Sequence, residues 1–154
     1  MRRIGIFLIL CVIATGFCFG QLPHTFTQYT SEDGLSQNTI MSILQDDKGV
    51  MWFATWDGLY KFDGYTFNNY KAHPGDSIGL SNNRLDNIKE DRYGYIWVQS
   101  YNHQVYRFNP RLERFQAIPY DNYLSLDMYV LPCGDVWIIT VQNELIHIST
   151  HPET

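Results

Sequence analysis

Cysteine is scarce in this chain, and basic side chains are outnumbered. Of three cysteines, Cys11 and Cys18 lie in the first twenty residues, so Cys133 stands alone beyond them. A single cysteine cannot form an intrachain disulfide. Setting aside Arg2 and Arg3 with that leader leaves nine basic side chains against sixteen acidic ones. Such a balance excludes nucleic acid as a partner, because binding it requires a basic footprint. Long hydrophobic runs are also lacking. The longest, Ile4 to Phe19, is 16 residues and short for a membrane span. Two arginines before it and Gly20 after it make residues 1–20 read as a secretory signal peptide. Export, with so little cysteine, points to a periplasm or cell surface.

Catalytic motifs are missing too. There is no GxSxG, HExxH, paired CxxC or P-loop. His24, His73, His103, His147 and His151 are scattered without metal-ligand spacing, and Asp46-Asp47-Lys48-Gly49 lacks the oxygen ligands of a calcium loop. No catalytic residue, metal or cofactor is therefore expected.

A turn followed by tryptophan occurs three times. The copies are Asp47-Lys48-Gly49-Val50-Met51-Trp52, Asp91-Arg92-Tyr93-Gly94-Tyr95-Ile96-Trp97 and Pro132-Cys133-Gly134-Asp135-Val136-Trp137. Gly49, Gly94 and Gly134 repeat at intervals of 45 and 40 residues, and so do Trp52, Trp97 and Trp137. That period, with a glycine turn and an aromatic in each copy, indicates β-propeller blades. Gly34-Leu35-Ser36-Gln37-Asn38 also recurs, as Gly79-Leu80-Ser81-Asn82-Asn83. A tryptophan at the same place in each copy points to packing between blades rather than to a ligand box.

The units divide into an N-terminal segment over 21–36, blade 1 over 37–72, blade 2 over 80–120, a partial blade 3 over 121–149 and a tail over 150–154. Phe67–Tyr70 and Phe115–Ile118 read as fourth strands. Phe26-Thr27-Gln28-Tyr29 resembles them without three strands of its own. It reads as an orphan outer strand of the kind that closes a propeller ring on the last blade, expected here to be loose or to pair near Leu145–Ile148. The fold class is thus all-β, a partial propeller of about three antiparallel blades, the third incomplete. Each blade buries its faces against neighbours, so residues 21–154 are not expected to behave as an independent monomer.

These residues resemble the two-component-regulator propeller repeat. Asp47 to Thr55 followed by Gly58-Leu59-Tyr60-Lys61-Phe62-Asp63 carries its pattern throughout. The second copy lacks Gly-Leu, and the third has lost the leading acid and the aromatic pair. The resemblance covers about residues 22–148. It implies the N-terminal part of a periplasmic sensor propeller of Bacteroidota hybrid two-component systems. Such sensors respond to glycan fragments and signal to kinase domains, none of which is present here. The implied partners are an oligosaccharide and the remaining blades or receptor domains.

Connections alternate between the two ends of an up-and-down blade. The Gly-Leu-Ser loops and the hairpins at Trp56, Tyr101 and Gln142-Asn143 should therefore share one face. Amides beside flat rings suit carbohydrate. The ligand candidates on that face are Trp56, Asp57, Tyr101, Asn102, His103, Asn38 and Asn83. Turn formation alone also accounts for Asn, Asp, Gly and Ser there. The alternatives are a propeller enzyme acting on polysaccharide, as lyase or glycosidase, and a scaffold that assembles with its own copies as a homo-oligomer.

Overall fold

The computed structural model describes residues 25–36, 39–73, 75, 79–119 and 124–150. Residues 1–24, where the signal peptide is expected, Gln37, Asn38 and the end of the tail lie outside them. The described chain holds three antiparallel sheets and no α-helix. The first contains β1 (Ile40–Gln45), β2 (Met51–Thr55), β3 (Gly58–Phe62) and β4 (Phe67–Tyr70), paired in that order. The second contains β5 (Leu85–Glu90), β6 (Ile96–Ser100), β7 (Val105–Asn109) and β8 (Arg114–Ala117). The third is three-stranded: β9 (Ser125–Val130), β10 (Val136–Thr140) and β11 (Leu145–Ile148). Each tryptophan sits on the second strand of its sheet, as the repeat requires.

The turn between first and second strands has one geometry in all three sheets. Asp46 N–H donates to the Val50 carbonyl and Gly49 N–H to the Asp46 carbonyl; Asp91 with Tyr95 and Gly94, and Leu131 with Asp135 and Gly134, repeat the pair. The glycines take φ of 82°, 79° and 99°, a left-handed conformation that a β-carbon disfavours. The acid of the motif is Asp46, one residue earlier than the motif alignment places it. Its Oδ1 accepts the N–H groups of Lys48 and Val50, and its Oδ2 accepts the Trp52 indole N–H at 2.9 Å. Asp91 accepts from Tyr93, Tyr95 and, at 2.9 Å, Trp97 in the same way. A second shared feature, invisible in the residue pattern, is a bulge near the start of each first strand, at Ile40/Ser42, Leu85/Asn87 and Ser125/Asp127.

The core lies between sheets. Trp52, Ala54 and Leu59 pack against Leu85, Ile88, Ile96, Val98, Tyr106 and Phe108 of the second sheet. Trp52 meets the Phe108 ring edge-on at 5.7 Å. Trp97 and Val105 repeat the arrangement on Met128, Val136 and Ile138 of the third sheet. Thus Trp52 and Trp97 each face the following blade, which buries them to 1 % exposure. Trp137 has no following sheet among the described residues. It is only partly buried, and its ring stacks on His147 at 4.4 Å instead. Leu131 occupies the position of the capping acid in this blade, so the indole also lacks that acceptor.

The segment Phe26–Tyr29 forms no strand, and it does not pair near Leu145–Ile148. Phe26 is exposed, but the Tyr29 ring lies edge-on over Phe62 at 5.0 Å and Phe67 at 5.6 Å. Strand alternation sends Trp52 toward the second sheet and Phe53, with Phe62 and Phe67, to the opposite side. Tyr29 therefore covers the free face of the first sheet. Of the two aromatics that suggested an outer strand, Tyr29 is used for face packing and Phe26 is not.

Trp97→Phe should lower stability by about 2 kcal/mol, through lost volume and an Asp91 oxygen left without its indole donor. Trp137→Phe should cost less than about 1 kcal/mol, because no sheet covers it. Denaturant unfolding of both variants checks this; equal losses would contradict packing against the following blade.

Candidate functional site

The hairpins between second and third strands and the inter-blade loops meet at one end of the sheets. The loop between blades is held down by a hydroxyl contact that occurs twice. Ser36 Oγ bonds the Tyr60 hydroxyl, and Ser81 Oγ bonds the Tyr106 hydroxyl at 2.7 Å. Tyr60 and Tyr106 are buried on third strands, so each serine anchors the incoming Gly-Leu-Ser loop to its own blade. Ile146 stands at this position in the third sheet and offers no hydroxyl.

Asp57 belongs to the first of these clusters. Its carboxylate accepts from Ser36 at 2.7 Å and pairs with the Lys71 ammonium at 2.6 Å. Partial burial pushes the Asp57 carboxyl up, but hydrogen bonds from Lys71 and Ser36 and the Lys71 charge together hold it below its ordinary value of 3.8. Asn83 is equally committed. Its carbonyl accepts Gly58 N–H at 2.8 Å, and its Oδ1 accepts Ala72 N–H at 2.7 Å, tying blade 1 to the loop before blade 2. Asn102 bonds Ser81 and Ser100. His103 has φ of 65°, and its Nδ1 lies 2.9 Å from the Ser125 carbonyl at the start of the third sheet. Asn143 and Gly58 share that left-handed conformation in the equivalent hairpins. At Gly58 a β-carbon would also fall 2.5 Å from the Tyr70 carbonyl oxygen, so glycine is required there.

Two of the sequence candidates remain open to solvent. Trp56 is 41 % exposed and Tyr101 is 52 % exposed. They belong to different blades, and the residue that joins them escaped the sequence reading. The Arg84 guanidinium lies 4.3 Å from the Trp56 ring centroid and 4.0 Å from that of Tyr101. Stacking of this kind contributes roughly 0.5–1 kcal/mol per ring at partly exposed sites. The order Trp-Arg-Tyr is assembled from hairpins 45 residues apart, and no local spacing signals it. Two larger cavities lie elsewhere. One of about 970 Å³ is lined by Lys48, Arg92, Tyr93, Arg107 and Arg111 at the opposite end of the sheets. Another of about 730 Å³ lies along the outer strands, with Tyr70, Lys71 and Phe115. The recurring aromatic hairpins, not cavity size, single out the Trp56–Tyr101 face.

Three sheets joined by turn-capped tryptophans define consecutive blades of a propeller. The Two component regulator propeller family model matches residues 34–57, which run from the Gly-Leu-Ser loop through β1 and β2 to the first aromatic hairpin, and the chain carries that repeat. Histidine kinase P4 of Formosa agariphila is 40 % identical over 83 residues, covering 53 % of this chain and 6 % of the kinase. Two solved structures share the fold. The extracellular domain described as that of the hybrid two component system BT3049 of B. thetaiotaomicron has a TM-score of 0.64 at 23 % identity, covering 82 % of this chain and 20 % of that one. That of BT4673, from the same organism, has a TM-score of 0.56 at 25 % identity, over 75 % and 17 %. The chain thus spans about a fifth or less of each of these three chains. Both solved neighbours are extracellular, and among the described residues no helix is long and apolar enough to cross a membrane.

Because the folded carboxyl of Asp57 titrates below its ordinary value, its contribution to stability is present above 3.8 and is lost as pH falls through the depressed value. Lys71→Met should raise the Asp57 titration midpoint in a carboxyl-carbon NMR experiment. An unmoved midpoint would remove Lys71 as a cause.

Proposed function

We propose that this chain is part of the ligand-sensing propeller of an exported two-component receptor, that it responds to a glycan, and that it binds without catalysing. The repeat and the extracellular neighbours support the receptor part of the reading. The observation that carries the glycan part is the pair of half-exposed rings, Trp56 and Tyr101, brought together across a blade junction on one loop face. Amphipathic rings at a solvent-facing rim offer apolar faces and polar edges, the combination that a pyranose ring presents in return. The neighbouring polar groups of Asp57, Asn83 and Asn102 are tied into the scaffold, so they position the rings instead of reacting.

The periplasm is the compartment in this reading, and the partners are further blades and receptor domains. The outer face of the third sheet supports a partner there. Ile139 and Leu145 are exposed on its strands, and Trp137 is only partly covered.

A panel of oligosaccharides titrated against the chain, read by tryptophan fluorescence, tests the proposal. At least one sugar should bind, and Trp56→Ala or Tyr101→Ala should weaken it about tenfold, as loss of a stacked ring does. No sugar should be cleaved on prolonged incubation. Cleavage products, or binding unaffected by either substitution, would overturn it.

A further inference from the structure

We propose that the Trp56–Arg84–Tyr101 stack is a subsite for an anionic group on a saccharide, a carboxylate or a sulfate. The inference rests on the glycan reading above and adds the charge class of the sugar.

The fold does not need an arginine here. The same main-chain bond recurs in all three blades: Trp56 N–H to the Thr39 carbonyl, Tyr101 N–H to the Arg84 carbonyl, and Val141 N–H to the Leu124 carbonyl. The residues at that repeat position are therefore Thr39, Arg84 and Leu124, and only the backbone is in common. In a repeat protein the residues that hold the blades recur, as the tryptophans and turn glycines do. Arg84 does not recur, which separates it from the scaffold.

Its charge is also unanswered. Among the described residues the ion pairs are Lys71–Asp57, Arg107–Asp91 and His147–Asp135, and Arg84 is in none of them. Asp57, on the same face, is paired with Lys71 at 2.6 Å. The Nε of Arg84 is buried and has no hydrogen-bond partner.

The two rings then define how a ligand approaches. Each gives one face to the guanidinium, at 4.3 and 4.0 Å, so those faces are closed to a sugar. What remains of the guanidinium is the Nη edge of its plane, since Nε is buried, with the two rings stacked against it. That edge matches two oxygens of a carboxylate or sulfate entering between the rings. A neutral pyranose would gain only the outer ring faces.

Isothermal titration of the full chain with three probes tests this: an oligogalacturonide, its carboxyl-reduced neutral counterpart, and a sulfated oligosaccharide of similar length. At least one anionic probe should bind about tenfold or more tightly than the neutral one. Which of the two does so distinguishes carboxylate from sulfate. Arg84→Gln should abolish the preference, so that charged and neutral probes bind alike, while Arg84→Lys should retain a weaker preference that falls with added salt. Equal binding of all three probes to the unaltered chain would overturn the anionic subsite and leave the glycan reading standing. No binding of any probe would overturn both. Inorganic sulfate binding as tightly as the sulfated sugar would show a bare anion site and overturn the saccharide part. The comparison among probes on the unaltered chain does not depend on how any variant folds.

Discussion

The hydrogen bond from a buried indole to a turn aspartate is the constraint on which the blades depend. A tryptophan closed off between two sheets must satisfy its N–H, since an unpaired buried donor costs about 1–3 kcal/mol. Asp46 and Asp91 supply the acceptor six residues upstream of Trp52 and Trp97. The same carboxylates cap the turn by accepting backbone N–H groups. One side chain thus sets the turn, fixes the direction of the second strand and orients the ring that fills the space to the next blade. Where Leu131 replaces the acid, the ring is also the one left without a following sheet, and it settles onto His147.

Blade-to-blade contact is built from what recurs, and the open surface from what does not. Tryptophan, turn glycine and the Ser–Tyr pair hold one blade to its loop and its neighbour. Trp56, Tyr101 and Val141 occupy equivalent hairpin positions yet differ, and so do Thr39, Arg84 and Leu124. Because the backbone bond is the same at each, these side chains are free of the demands of the fold. Side chains can differ there, at the junction of two blades, with the main-chain bond unchanged.

The sheets' free faces follow the same logic from the other direction. Among the described residues no blade covers the face that carries Phe53, Phe62 and Phe67, and Tyr29 lies on it. On the face of Trp137, the ring stacks on His147. Apolar surface that a neighbouring blade would cover is met by whatever aromatic group the chain can bring within reach.

Period, strand order and the depth of Trp52 and Trp97 were legible in the residues, because blades are local: each strand pairs with the next, and each turn announces itself by glycine and aspartate. The incomplete third sheet was legible for the same reason. The shared face of Trp56 and Tyr101 followed from strand alternation. Other features were decided only by tertiary structure. Asp46, not Asp47, is the indole acceptor, a one-residue difference that only the hydrogen bonds reveal where two aspartates adjoin. Phe26–Tyr29 looks like an outer strand, yet only its Tyr29 ring packs on the first sheet, since residue type does not say whether an aromatic is used for pairing or for covering. Arg84 carries no motif at all. Its position between two rings exists because adjacent blades bring together hairpins that lie far apart along the chain, and that proximity is a property of packing, not of order.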